Sequence, residues 1–137
     1  MSNASNTLEE LIGDHLLRSA TWSKPTAIYV GLFTTMPSED GTGGVEVSGG
    51  SYVRIQCGPG DSYWTTPTSG NGAYINTAII QFPLPTANWG DVAGYGLFSA
   101  ASSGTLYIYK TFTTPVTISL GDPEPRFSIG AITVTVA

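Results

Sequence analysis

A chain of 137 residues with one cysteine and one histidine cannot form an intrachain disulfide, a cysteine-built zinc site or a histidine cluster. Only 11% of its residues are charged, against roughly a quarter in ordinary domains. The net charge is −5, and Arg18, Lys24, Arg54, Lys110 and Arg126 are scattered singly, leaving no basic stripe for nucleic acid. Yet 41% of the residues are hydrophobic and the mean hydropathy is +0.09, enough for a core. The surface must therefore be mostly Thr, Ser, Asn and Gly. Such a surface suits burial against neighbouring copies, because few charges need desolvating at an interface. No stretch approaches the roughly 20 apolar residues of a membrane span. The first residues lack the basic and apolar regions of a secretory leader, so none is expected here.

One helix is predicted, over residues 7–19. Thr7-Leu8-Glu9-Glu10 fits a capping box, in which the Thr7 hydroxyl accepts from the amide of residue 10 and Glu10 reaches back. Leu8, Leu11, Ile12, His15 and Leu16 follow at helical spacing and form one apolar face. Asp14 and Arg18 make an i, i+4 pair. The helix is too short to stand alone, so its apolar face must dock on the sheet or on a neighbour. Residues 1–25 are read as lead-in and helix, and residues 26–137 as a β domain, within one globular domain.

After Pro25 the texture is β throughout. Strands are predicted at Thr26–Thr34, Tyr52–Cys57, Ile75–Phe82, Asp91–Ala100, Thr105–Thr113, Pro115–Leu120 and Phe127–Val136. Met36–Ser51 reads as a long Gly-rich turn, and Ser62–Tyr74 as a polar loop or irregular edge strand. Asp91–Ala100 and Thr105–Thr113 form a hairpin around Ser102-Ser103-Gly104. The expected fold is all-β: an antiparallel, jelly-roll-like β-sandwich of about eight strands with one short N-terminal helix. Tyr29-Val30-Gly31-Leu32-Phe33 echoes Gly94-Tyr95-Gly96-Leu97-Phe98, as two central strands facing one core would.

Sites for chemistry are sparse. His15 lies on the helix's apolar face and reads as a packed side chain rather than a catalytic base. Glu39, Asp40 and Glu46 flank a Gly-rich loop but lack the alternating pattern of a calcium loop. Thr42-Gly43-Gly44 and Ser48-Gly49-Gly50-Ser51 lack the lysine and helix of a phosphate cradle. No catalytic residues, metal site or cofactor are expected. Aromatics in or beside loops (Tyr63, Trp64, Tyr74 and Trp89) are candidates to face a ligand, by stacking on sugar rings or anchoring an interface. Trp22 is expected to pack against the helix.

The element order completes the reading. Asp14-His15-Leu16-Leu17-Arg18 leads into Trp22-Ser23-Lys24-Pro25-Thr26, then Tyr29 to Thr35, Glu46-Val47-Ser48-Gly49-Gly50-Ser51-Tyr52-Val53-Arg54, Phe82-Pro83 and Ala87-Asn88-Trp89-Gly90. Gly96-Leu97-Phe98 and Gly121-Asp122 follow. This order resembles a family of small virion structural proteins of tailed bacteriophages, tail-fibre-like or head-decoration-like, over nearly the whole chain. The E-V-S-G-G-x-Y-x-R segment is the most specific part. The resemblance implies a non-enzymatic role on the phage particle, made in the host cytoplasm, with no catalytic residues to carry over.

Within that class the lack of fibre-like repeats points to a capsid decoration (cement) protein. It is expected to form a homo-oligomer, a trimer, beside other phage structural proteins such as the major capsid protein, with no nucleic acid or membrane partner. Leu8, Leu11, Ile12 and Leu16 are the expected docking residues. Glu46 and Arg54 are expected to pair across the bend or across a subunit boundary. The alternatives are a tail-fibre or adaptor component and a lectin-like receptor-binding module.

Overall fold

The computed structural model describes residues 3–65 and 72–135. Its largest sheet is built on two long strands in the middle of the chain. These are β7 (Gly90–Phe98) and β8 (Leu106–Ile118), the hairpin expected from the sequence. β2 (Ile28–Thr35) pairs with the other edge of β7, so the two echoing segments lie side by side, with Gly31 opposite Gly96 and Leu32 opposite Tyr95. The echo is thus a shared environment. Val30, Leu32, Tyr95 and Leu97 face one core, while Phe33 and Phe98 face a second, smaller one with Leu106 and Tyr109.

The sheet is completed by β1 (Asn3–Ala4) on β8, and by β3 (Val45–Glu46) and β4 (Ile55–Gly58) on β2. All pairings are antiparallel. Two short ladders cover the main core: β5 (Ala73–Ile75) with β10 (Thr133–Thr135), and β6 (Ile80–Gln81) with β9 (Arg126–Phe127). Ile80, Phe82, Ile132 and Val134 from this layer pack on Val30, Leu32 and Leu97 from the sheet. Two antiparallel layers thus enclose one core.

The structure corrects several boundaries. It has ten strands among the described residues rather than about eight. The segment expected as one strand over 75–82 is divided between β5 and β6, and the one expected over 127–136 between β9 and β10. Asn76 sits at the division. Its side chain is buried and donates to Ala78 O (3.0 Å) and Ser128 O (2.9 Å), while its Oδ1 accepts from Ile132 N–H. A side chain that satisfies the backbone replaces the ladder there. Pro115–Leu120 is no separate strand but the far end of β8. Gly94 faces Thr111 and Val92 faces Val116, so residues 112–115 bulge opposite Ala93. Pro115 sits in that bulge, where no ladder donor is required. The 36–51 turn contains β3.

The helix, α1, spans Asn6–Leu17 and is capped by Ser5 rather than Thr7. Ser5 Oγ accepts from Leu8 N–H (3.3 Å) and donates to Leu106 O (2.7 Å). That bond welds the cap to β8, so the cap lies two residues earlier than the local motif suggests and Thr7 is left exposed.

Among the described residues one buried side-chain group is unsatisfied: Tyr95 is 2% exposed, and its hydroxyl has no hydrogen-bond partner there. Removing an unpaired buried hydroxyl returns part of its desolvation cost. Tyr95→Phe is therefore expected to stabilise the protein by about 1 kcal/mol in urea unfolding; a loss of that size would show that the hydroxyl is paired in solution. Burial also pushes the Tyr95 phenol up to about 12, with the Cys57 charge as a smaller cause, and pushes the buried Cys57 thiol up to about 12. Both are neutral in the folded state at pH values where the unfolded chain begins to ionise. Their stabilisation is complete below the ordinary thiol value of 9.0 and is lost as pH rises through 12. The urea midpoint is expected to fall over that window, more steeply than in Cys57→Ala. In the same way the thiol should resist iodoacetamide at pH 8 until the chain is unfolded.

Candidate functional site

The segment Glu46–Arg54 folds into a clasp against the sheet. Gly49 (φ +74°), Gly50 (φ +57°) and Ser51 (φ +66°) turn the chain through the left-handed region. The turn returns Tyr52 and Arg54 to Glu46. Arg54 Nε and Nη2 donate to the two Glu46 carboxylate oxygens at 2.8 and 2.7 Å, a bidentate pair. Arg54 Nη1 donates to Ala100 O (2.9 Å) and Ser103 O (2.7 Å), which holds the β7–β8 turn. The guanidinium lies 3.5 Å from the Phe98 ring centroid. Tyr52 Oη donates to Glu46 Oε2 (2.7 Å) and accepts from Leu32 N–H (2.8 Å). Burial, and next its bond to the Glu46 carboxylate, raises the Tyr52 phenol well above its usual range.

Space for the clasp comes from Gly31, where a Cβ would stand 2.8 Å from Glu46 Oε2 and 3.1 Å from Tyr52 Oη. Of the two readings of Glu46 and Arg54, the structure shows the pair closed within one chain, across the bend, with the Arg54 side chain 7% exposed.

Trp89 belongs to the same construction. A candidate to face a ligand, it is instead 5% exposed and its indole N–H donates to Gly50 O (2.9 Å). Its ring meets the edge of Tyr52 at 5.3 Å and packs on Phe82. The adjoining turn made Trp89 look superficial. The turn is folded over it, and a Cβ at Gly50 would stand 2.8 Å from Trp89 Nε1.

The helix face expected to dock is divided. Leu8 is buried and Leu11 half-buried, but Ile12 is 40% and Leu16 76% exposed, with Leu17 at 81%. The first turn is seated by Ser5, and the later turns carry their leucines into solvent. His15 is exposed, and its Nδ1 accepts from Trp22 N–H (3.1 Å), holding the chain that leaves the helix. The Asp14–Arg18 pair forms at 3.3 Å on the surface and contributes little there.

Of the remaining candidate aromatics, Trp64 packs against the main core to which Trp89 belongs. Trp64 is half-buried, its indole N–H donating to Cys57 O (2.7 Å), and Tyr74 on β5 is 37% exposed. Both line a cleft of about 600 Å³. Its other aromatic walls are Trp22 and Tyr107, whose rings meet at 6.0 Å and 60°. Trp22 therefore packs its ring on β8, while its backbone N–H is tied to the helix through His15. Tyr63, though next to Trp64, does not line the cleft, and residues 66–71 of the expected loop lie outside the described residues. Sequence reasoning missed Trp22 and Tyr107 as cleft residues. The one available signal was Tyr107 beside the inward Leu106, on the opposite side of the strand. Among the described residues no three His, Cys, Asp or Glu side chains gather as metal ligands.

Comparison with known families assigns the class. The match runs over residues 3–135, nearly the whole fold just described, and the class is that of tailed-phage structural proteins. The family model is described as Podophage GP4 fiber I protein gp80, and the chain belongs to that family. Membership makes the chain a virion component. No curated protein matches it.

Proposed function

We propose that this chain is a non-enzymatic component of a phage tail fibre, exposed on the particle and assembled as a homo-oligomer, a trimer. The observation that carries the reading is the fibre-family match across residues 3–135. It favours the fibre or adaptor alternative over the capsid-decoration role expected from the sequence, for which nothing in the fold speaks. The composition agrees, with few charges and, among the described residues, twelve large hydrophobic side chains left exposed. The exposed face of α1 is the docking element, because a helix that seats only its first turn leaves Ile12, Leu16 and Leu17 to be covered by a neighbour.

Imaging of intact particles tests the location. A few copies at the tail are expected, whereas hundreds over the shell would restore the decoration role. Light scattering of the purified chain tests the docking element. Leu16→Asp with Leu17→Asp should convert a trimer to monomers that still unfold cooperatively, since both side chains are solvent-exposed in the single chain. A trimer that survives the double change would place the interface elsewhere.

A further inference from the structure

We propose that the cleft between Trp22, Trp64, Tyr74 and Tyr107 binds an uncharged saccharide. The volume of about 600 Å³ is that of a small-molecule site, within roughly 300–1,000 Å³. Four aromatic rings around it offer apolar faces suited to the C–H faces of pyranose rings. The Trp64 indole nitrogen is already spent on Cys57 O, which fixes that ring before any ligand arrives.

Charge narrows the ligand. Among the described residues, Asp61 is the only charged one lining the cleft, and no Lys or Arg lines it. On a chain of net charge −5, such a site disfavours sialylated, phosphorylated or uronic sugars. Asp61 also argues against a wholly apolar occupant. Its exposed carboxylate makes no hydrogen bond among the described residues, and a hydrocarbon seated beside it would desolvate the charge without pairing it. A sugar's hydroxyls donate to that carboxylate while its ring stacks on the aromatics. The tyrosine hydroxyls of Tyr74 and Tyr107 add further donors. The inference goes beyond the fibre assignment and concerns the isolated chain, so it stands or falls whichever part of the particle carries it.

The test is a glycan array of neutral and acidic oligosaccharides probed with the purified chain, followed by calorimetric titration of any hit. Binding to neutral glycans is expected, weakened at least tenfold by Asp61→Ala and by Tyr74→Ala, and unchanged by Leu120→Ala, at an exposed position outside the cleft. Both cleft changes lie at exposed positions, and melting curves establish that the variants fold. A readout on the unmutated chain stands beside them: the neutral hit should quench tryptophan fluorescence and protect the indoles from N-bromosuccinimide. Absence of any neutral hit, preference for acidic glycans, or binding indifferent to both variants would overturn the proposal. So would indoles protected in the assembled oligomer without sugar, which would make the cleft a protein interface.

Discussion

Arg54→Met is expected to cost about 3–5 kcal/mol, which for a chain of this size lowers the melting temperature by on the order of 10 °C. The methionine fills similar space, so the loss is not chiefly a cavity. It is the desertion of Glu46, whose carboxylate keeps, among the described residues, only Tyr52 Oη as a side-chain donor at the edge of an apolar cluster. Two backbone carbonyls, of Ala100 and Ser103, lose their donor as well, and the β7–β8 turn loses its tie to the clasp. The Arg54 side chain is almost fully covered and the Glu46 side chain is 26% exposed, so solvent screens the deserted carboxylate only in part. The double variant Glu46→Gln, Arg54→Met should recover part of the stability, because no unpaired charge is then left. A thermal melt of the four combinations measures the coupling. A single-variant cost under about 1 kcal/mol, the range of exposed pairs, would mean that the clasp is open in solution.

The second large effect is expected at Gly94, in the strand with partners on both sides. A Cβ there would stand 2.2 Å from Lys110 O and 2.6 Å from Met36 Sδ. The methionine can move. The carbonyl cannot, because it belongs to the β8 backbone paired along β7. Gly94→Ala must therefore push the central hairpin apart, at a cost of about 3 kcal/mol or more. Gly13→Ala is the control. It lies within α1 with nothing inside 4 Å of the added carbon, and should stabilise by about 0.5–1 kcal/mol. Urea unfolding of both variants separates a steric cause from a general intolerance of alanine for glycine. Equal behaviour of the two would show that β7 relaxes freely at this point.

The two predictions draw on residues that the sequence displayed unevenly. Glu46, Gly49, Gly50, Tyr52 and Arg54 stood out as a compact motif, and its charged members suggested a pair across the bend or across a subunit boundary. The folded chain uses them inward. Gly31 and Gly94 were visible as glycines in strands, where close approach is the usual cause, but not the atoms that approach.

What the sequence by itself determined is what short-range chemistry controls. Alternating apolar residues broken by Gly and Pro determine an antiparallel β chain, and the Ser102-Ser103-Gly104 turn determines its central hairpin, because a hairpin joins neighbours along the chain. Helical spacing of leucines determines α1. Tertiary structure alone decided the rest, because each remaining feature closes over a long stretch of sequence. Ser5 caps α1 by reaching Leu106, 101 residues away. Asn76 bonds Ser128 and Ile132 where two strands divide, over separations of 52 and 56. Trp22, Trp64, Tyr74 and Tyr107 become one cleft only when β4, β5 and β8 converge. Local propensity carries no information about which distant backbone group a side chain will meet. Burial of the two apolar faces of the sheet decides that.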